Sequence, residues 1–255
     1  RAASLFAGAK DTLVWSCLMG CMGEVWVDDA LRPKVALASL GDFSFFAGAA
    51  DGAQAEEAAS LLPALHPSGF VLAVPMGEGW ARLLRRRYAQ GCQMVTRYAL
   101  CKEGGRFDRA RLEGLANALD GRYVLKPLDG EAYARVLRQE WSRDFCSQYG
   151  GWEDYAAHSL GVVALDGEEI VGGASGYSWF KGGIEIEIDV RQDHRRRGVA
   201  TACAARLILN CLDQGLYPSW DAANPESLHL AQKLGYRFSH EYPTCRIHWE
   251  SGALR

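Results

Sequence analysis

The sequence has no Cys-x-x-Cys, no paired His/Cys spacing, no long apolar run and no excess of positive charge. Each absence closes off a class of protein. The eight cysteines, at 17, 21, 92, 101, 146, 203, 211 and 245, lack the spacing of a metal site, so no metal is expected. Cys17 and Cys21 could share a helix face, but two ligands without partners make a poor metal site. Several of the others sit in apolar runs, where a reduced thiol behaves as a small hydrophobe. No stretch approaches the roughly 18 apolar residues of a spanning helix, so no membrane partner is expected. Lys and Arg number 28 against 31 Asp and Glu, and the net charge of -3 argues against nucleic acid as a partner. No signal-like segment follows Arg1, which makes cytoplasmic the expected location. No Pro/Ser-rich linker divides the chain, and no residue-level repeat is visible. What is present is 255 residues, 49% of them apolar, enough for one large domain or two small ones.

Periodicity predicts an α/β plan with a mixed sheet. In the first half, helices are expected over Leu5–Leu18, Ala53–Leu65, Trp80–Tyr88 and Arg109–Leu119. Strands are expected over Val35–Leu40, Phe43–Ala47, Phe70–Val74 and Met94–Cys101, with turn signals at Gly104-Gly105 and Asp120-Gly121. The second half predicts a strand over Tyr123–Leu128 and a helical region over Glu131–Ala157. A hairpin (Val162–Leu165, Ile170–Trp179) and a strand (Ile184–Val190) follow, then a helix from Ala200, a strand over Leu216–Asp221, a helix over Pro225–Leu234 and a closing pair of short strands. The boundary is placed near Asp120, giving an N-terminal α/β domain over 1–120 and a second domain over 121–255.

The most informative stretch runs from Glu185 to Ala200. Apolar and polar residues alternate strictly from Ile184 to Val190, as in a strand. A polar, arginine-rich turn follows, and then a helix with Ala200, Cys203, Ala204, Leu207, Ile208 and Cys211 on one face. Such a turn aims the first amides of the helix at one spot, with the helix dipole behind them, and so makes an anion site. Gly198 lets backbone approach the anion closely. Arg195, Arg196 and Arg197 stand beside it.

The spacing of Val190, Arg195, Gly198 and Ala200 resembles the acetyl-CoA motif of the GNAT acetyltransferase superfamily. A second block, from Trp220 to Tyr236, resembles the strand, Asn, helix and Lys-Leu-Gly-Tyr ending of the same family, and the resemblance covers roughly Gly121 to Ile247. It implies a GNAT-like fold in the C-terminal half. The smaller first half could be a degenerate copy of the fold, but it lacks any Arg-x-x-Gly-x-Gly/Ala loop and is assigned no CoA site. The resemblance further implies acetyl-CoA as cosubstrate, with its pyrophosphate on the amides of Gly198, Val199, Ala200 and Thr201 and with Arg195, Arg196 and Arg197 near its phosphates. Backbone of Ile188 and Val190 would pair with the pantetheine arm, and Asn224 would touch CoA, although helix capping alone explains an Asn there. The aromatic-rich segment from Trp141 to Tyr155 would wall an acceptor pocket.

Transfer to an amine needs a base, and Glu185, Glu187 and Asp189 share one strand face. Like charges in a row oppose full ionisation, which suits one acid to proton transfer, with Glu187 first and Glu185 second. A solvated edge-strand face explains the row equally well. Ala231 stands where the family often has a Tyr that acts as acid. The expected activity is N-acetyl transfer to a small-molecule primary amine; the alternative, suggested by Ala231, is an acyl-CoA-binding regulatory module without turnover. Whether the chain forms a homodimer is left open.

Overall fold

The computed structural model describes residues 1–102 and 107–250, so the Gly104-Gly105 turn lies outside the described residues. The chain divides into two compact units, one of Arg1–Arg97 with the segment from Glu241 on, the other of Tyr98–His240. The division therefore falls upstream of the Asp120 turn, and the C-terminal segment returns to the first unit. No helix among the described residues is long and apolar enough to cross a membrane.

The first unit contains α1 (Thr12–Met19), β1 (Glu24–Val27), β2 (Val35–Leu40), β3 (Phe43–Gly48), α2 (Ala53–Ser60), α3 (Leu62–Leu65), β4 (Phe70–Pro75), α4 (Glu78–Arg87) and the beginning of β5 (Cys92–Leu100). The helix expected over Leu5–Leu18 starts only at Thr12, because the Asp11 side chain accepts from Leu13 N–H and caps it there. Strand β1 was not foreseen; four residues are too few to show a period. Antiparallel β1–β2–β3 is followed by β4, parallel to β3. Phe46, Trp80, Leu62 and Leu84 fill the core of this unit.

A polar island lies inside it. His66, 3% exposed, sits with its Nε2 2.8 Å from Ser44 Oγ and 3.3 Å from Ser39 Oγ. Burial pushes its pKa down to about 4. The folded chain therefore refuses a proton that the unfolded chain takes up near pH 6.5. Stability from this group is complete above that value and falls as the pH drops toward 4. A loss of roughly 2 kcal/mol between pH 7.5 and 5 is expected in urea melts, and its absence from a His66→Gln variant. A wild-type slope identical to the variant's would refute the assignment.

The second unit continues with the end of β5, α5 (Arg109–Asn117), β6 (Tyr123–Pro127), α6 (Gly130–Val136), α7 (Trp152–His158), β7 (Gly161–Asp166), β8 (Glu169–Phe180) and β9 (Gly183–Val190). Then come α8 (Val199–Asp213), β10 (Tyr217–Ser219), β11 (Asp221–Ala222), α9 (Pro225–Leu234) and the first residues of β12 (Phe238–His248). The expected helical region over Glu131–Ala157 is two helices with a 3-10 turn, Arg143–Phe145, between them. The expected Leu216–Asp221 strand is two pieces broken at Trp220. The closing pair of strands is one strand, whose pairing with β4 begins at Cys245, just past Pro243, which has no N–H to give a ladder.

Strands β6 to β10 form a five-stranded sheet in the order β10-β9-β8-β7-β6, antiparallel except for parallel β9 and β10. Buried Ala202, Cys203, Leu207 and Ile208 of α8 share one core with Ile184, Ile186 and Val190 of β9 and with Leu100, Leu112 and Ala116. Burial pushes the thiols of Cys203 and Cys211 up to about 12, consistent with packing rather than nucleophilic duty.

A chain beginning at Asp120 would lack Leu100 and all of α5. Each fully buried Leu contributes roughly 1.5–3 kcal/mol, against a total stability of about 5–15 kcal/mol. Such a fragment should show no cooperative thermal transition by circular dichroism; a sharp transition would support a boundary near Asp120.

Candidate active site

Alternation along β9 separates two surfaces. Ile184, Ile186 and Val190 pack toward α8. Glu185, Glu187 and Asp189 face the other side of the sheet. Glu187 is paired with Ser175 of β8, whose hydroxyl lies 2.7 Å from that of Tyr155 on α7. A Cβ on Gly173, two residues before Ser175, would meet Phe145 at 2.7 Å, so the acid face is the one that the aromatic segment covers. Phe145 and Tyr155 are themselves core, each 1% exposed.

At the end of β9 the chain enters a pinned turn. Arg191 Nη2 donates to His194 Nε2 at 2.9 Å. Since a guanidinium only donates, that nitrogen accepts and the imidazole proton is assigned to Nδ1, which faces Tyr123 Oη at 3.0 Å. Arg195 folds back, its Nε donating to Val190 O at 3.0 Å and its Nη2 to Asp189 Oδ1 at 3.2 Å. Arg196 is the single non-glycine with positive φ among the described residues, at 61°. Gly198 follows at φ 83°, where a residue without Cβ is favoured.

Helix α8 then begins without a side-chain cap. Its first helical bond runs from Ala202 N–H to Gly198 O, 3.0 Å, so the amides of Val199, Ala200 and Thr201 have no acceptor within the helix. They open on a cleft of about 320 Å³. Ile188, Val190, Arg195, Arg196, Gly198, Val199, Ala200 and Thr201, all expected cofactor residues, line it, joined from the far side by Trp220, Glu226, Ser227 and Leu230. Arg197 and Asn224 are not among its lining residues. Arg197 reaches instead toward Tyr123 Oη, 3.5 Å, and Asn224 Oδ1 caps α9 by accepting from Ser227 N–H at 2.8 Å.

The cleft exists because two strands part. β10 runs beside β9 for three residues only, the last pair being Ser219 with Glu185. Beyond it the chain passes through Trp220 into β11, which pairs with β5. From Ile186 onward the edge of β9 is no longer paired to β10.

Neither expected acid lines the cleft. Glu187 is half-buried, while Glu185 is 7% exposed with its Oε2 3.9 Å from Lys102 Nζ. The row therefore alternates with cations, Lys102 at Glu185 and Arg195 at Asp189. Both cations come from outside the row of acids. Ala231 is fully buried. Tyr236 does not replace the missing Tyr, because its hydroxyl donates to Pro218 O at 2.7 Å and burial holds its pKa well above the usual range. Tyr217 donates to Cys101 O at 3.1 Å, and His229 is exposed on α9 away from the cleft. Lys102 and the Tyr123–His194–Arg191 chain went unnoticed in the sequence.

An uncapped helix start, a glycine turn and a strand edge border one cleft, features that suit a phosphate-bearing, extended ligand. Comparison with known proteins supplies the class. The GNAT acetyltransferase model matches residues 3–245, well beyond the stretch from Gly121 that the motifs cover. A crystal structure of a GCN5-related N-acetyltransferase-like protein from Streptococcus suis is 39% identical, with 97% of each chain covered and a TM-score of 0.91. The chain belongs to the GNAT acetyltransferase family, a family of acyltransferases. An uncharacterized N-acetyltransferase of Bacillus subtilis, YdfB, is 31% identical over 123 residues, 47% of this chain and 46% of that protein. The match thus spans about half the length of that curated relative. A GCN5-related N-acetyltransferase from Kribbella flavida, 13% identical with 96% and 98% of the two chains covered, shares the fold at a TM-score of 0.60.

Proposed function

We propose that this chain is an N-acetyltransferase that moves the acetyl group of acetyl-CoA to a primary amine of a small molecule. The observation that carries the reading is the cleft itself: amides of Val199, Ala200 and Thr201 without an acceptor in their helix at one end, and the edge of β9 that β10 leaves along its wall. The residues present suit such a cosubstrate. The amides and Arg196 would hold the pyrophosphate, and backbone of Ile188 and Val190 would take the pantetheine amides as a further strand. Gly198 bears no Cβ, and one built there meets nothing within 4 Å, so the approach is open.

The parting of β9 and β10 lets one thioester be reached from both faces of the sheet. The cleft lies on the side of α8 and α9, whereas Glu187 lies on the opposite face beside Ser175. The amine nitrogen attacks the thioester carbonyl, a C–N bond forms and the C–S bond breaks. The proton lost by the amine passes to Glu187, directly or through water. CoA leaves as a thiolate, whose conjugate acid has a pKa near ~8.5, so it needs no dedicated acid and Ala231 is no obstacle. A face of carboxylates favours a cationic acceptor.

Incubation with acetyl-CoA and a panel of amines should release free thiol and give a product heavier by one acetyl group in mass spectrometry. The buried Ala231 favours one rival, a module that binds acyl-CoA without turnover. Calorimetric binding with no thiol release across the panel would decide for it.

A further inference from the structure

Lys102 follows β5, far in sequence from the cofactor motif, yet its side chain is only 7% exposed. Its ammonium donates to Ser219 Oγ at 2.6 Å and to Trp220 O at 2.9 Å, and Glu185 Oε2 lies 3.9 Å away. These three residues mark the place where the strands separate. Ser219 and Glu185 are the last parallel pair, and Trp220 is the break between β10 and β11. A buried ammonium is costly unless hydrogen-bonded and paired, and here it is both. Trp220 also lines the cleft, so moving its backbone moves the wall.

We propose that Lys102 is a positioning residue that fixes the fork between β9 and β10, and so sets the width of the acyl-donor slot. The inference rests on the reading of the cleft as an acetyl-CoA site. By joining the β10 side chain, the carbonyl at the break and the β9 carboxylate through one ammonium, Lys102 stops the parallel pairing from extending past Ser219 or retreating before it. Neutralising Glu185 alone would not require bonds to Ser219 and Trp220. Those two bonds separate a positioning role from simple charge balance.

The test uses the full chain as wild type, as Lys102→Met, and as Lys102→Met combined with Glu185→Gln. The double variant removes both buried charges together, so a folding defect from charge imbalance is relieved. It should melt close to wild type and keep faster amide exchange in residues 217–222 by mass spectrometry. Its acetyl-CoA affinity by calorimetry should stay weaker at least tenfold. Lys102→Arg, which keeps a cation and several donors, should recover part of that affinity. A double variant with wild-type exchange and wild-type affinity would reduce Lys102 to a counter-ion and overturn the proposal. Faster exchange with unchanged affinity would overturn it too, since the fork would not govern the slot. Wild-type protein that binds no acetyl-CoA would refute the functional reading itself, and with it this use of the fork. The ligand-free exchange data would still show whether Lys102 holds the strands.

Discussion

Gly198→Glu should abolish acetyl-CoA binding, with no measurable heat in calorimetry under conditions where wild type saturates. Two effects act together. At φ 83° a side chain is placed in the left-handed region, at a cost of about 1–2 kcal/mol. The larger effect is electrostatic, because the new carboxylate would stand at the uncapped start of α8 and occupy the amides proposed to receive the phosphate. Gly198→Ala separates the two, since its Cβ meets nothing within 4 Å and carries no charge. It should bind with only a modest loss. Equal affinities in wild type and Gly198→Glu would remove the cradle from the functional reading.

Glu187→Gln is the second large effect. The change keeps the shape of a half-buried side chain and removes its ability to take a proton. kcat should fall roughly 10²–10⁴-fold, the usual worth of a positioned base, with acetyl-CoA affinity nearly intact because the proposed contact of this strand with the cofactor is through backbone. Glu185→Gln should behave differently. It alters the buried contact with Lys102, so weaker donor binding is expected rather than a lost chemical step. If Glu187→Gln turned over as fast as wild type, the amine would have to arrive already neutral.

The parts of this site that were legible in the sequence are those held together by short stretches of chain. A strand ending at Val190, the turn through Gly198 and the helix that follows carry their pattern within a few residues, and eight of the expected cofactor residues share the cleft. Arg197 and Asn224 lie outside that lining. The resemblance put Arg197 near the CoA phosphates and Asn224 in contact with CoA; in the structure Arg197 reaches Tyr123, and Asn224 caps its helix at Ser227, as capping alone explained. Lys102 was invisible because its hydrogen-bond partners lie more than a hundred positions away, and nothing near it in the chain marks it as buried. The break at Trp220 was hidden for a related reason. Leu216–Asp221 has the apolar content of one strand, and only the two different partners, β9 and then β5, divide it. The cations that alternate with the acid row were hidden as partners too, since they come from outside the strand.

The return of β12 to the first unit has a consequence for how the protein is made. Cys245 and Ile247 are fully buried in the core of that unit, and Cys245 to His248 supply the antiparallel partner of β4. A ribosome finishes β4 and then synthesises the whole second unit before it reaches this strand, a delay on the order of ten seconds at ordinary rates. Throughout that interval the open side of β4 is an unpaired edge on a nascent chain, able to recruit the wrong strand. The second unit holds every element of its fork and cradle before β12 emerges. The order of birth is thus inverted in folding: the unit begun before the other is completed after it.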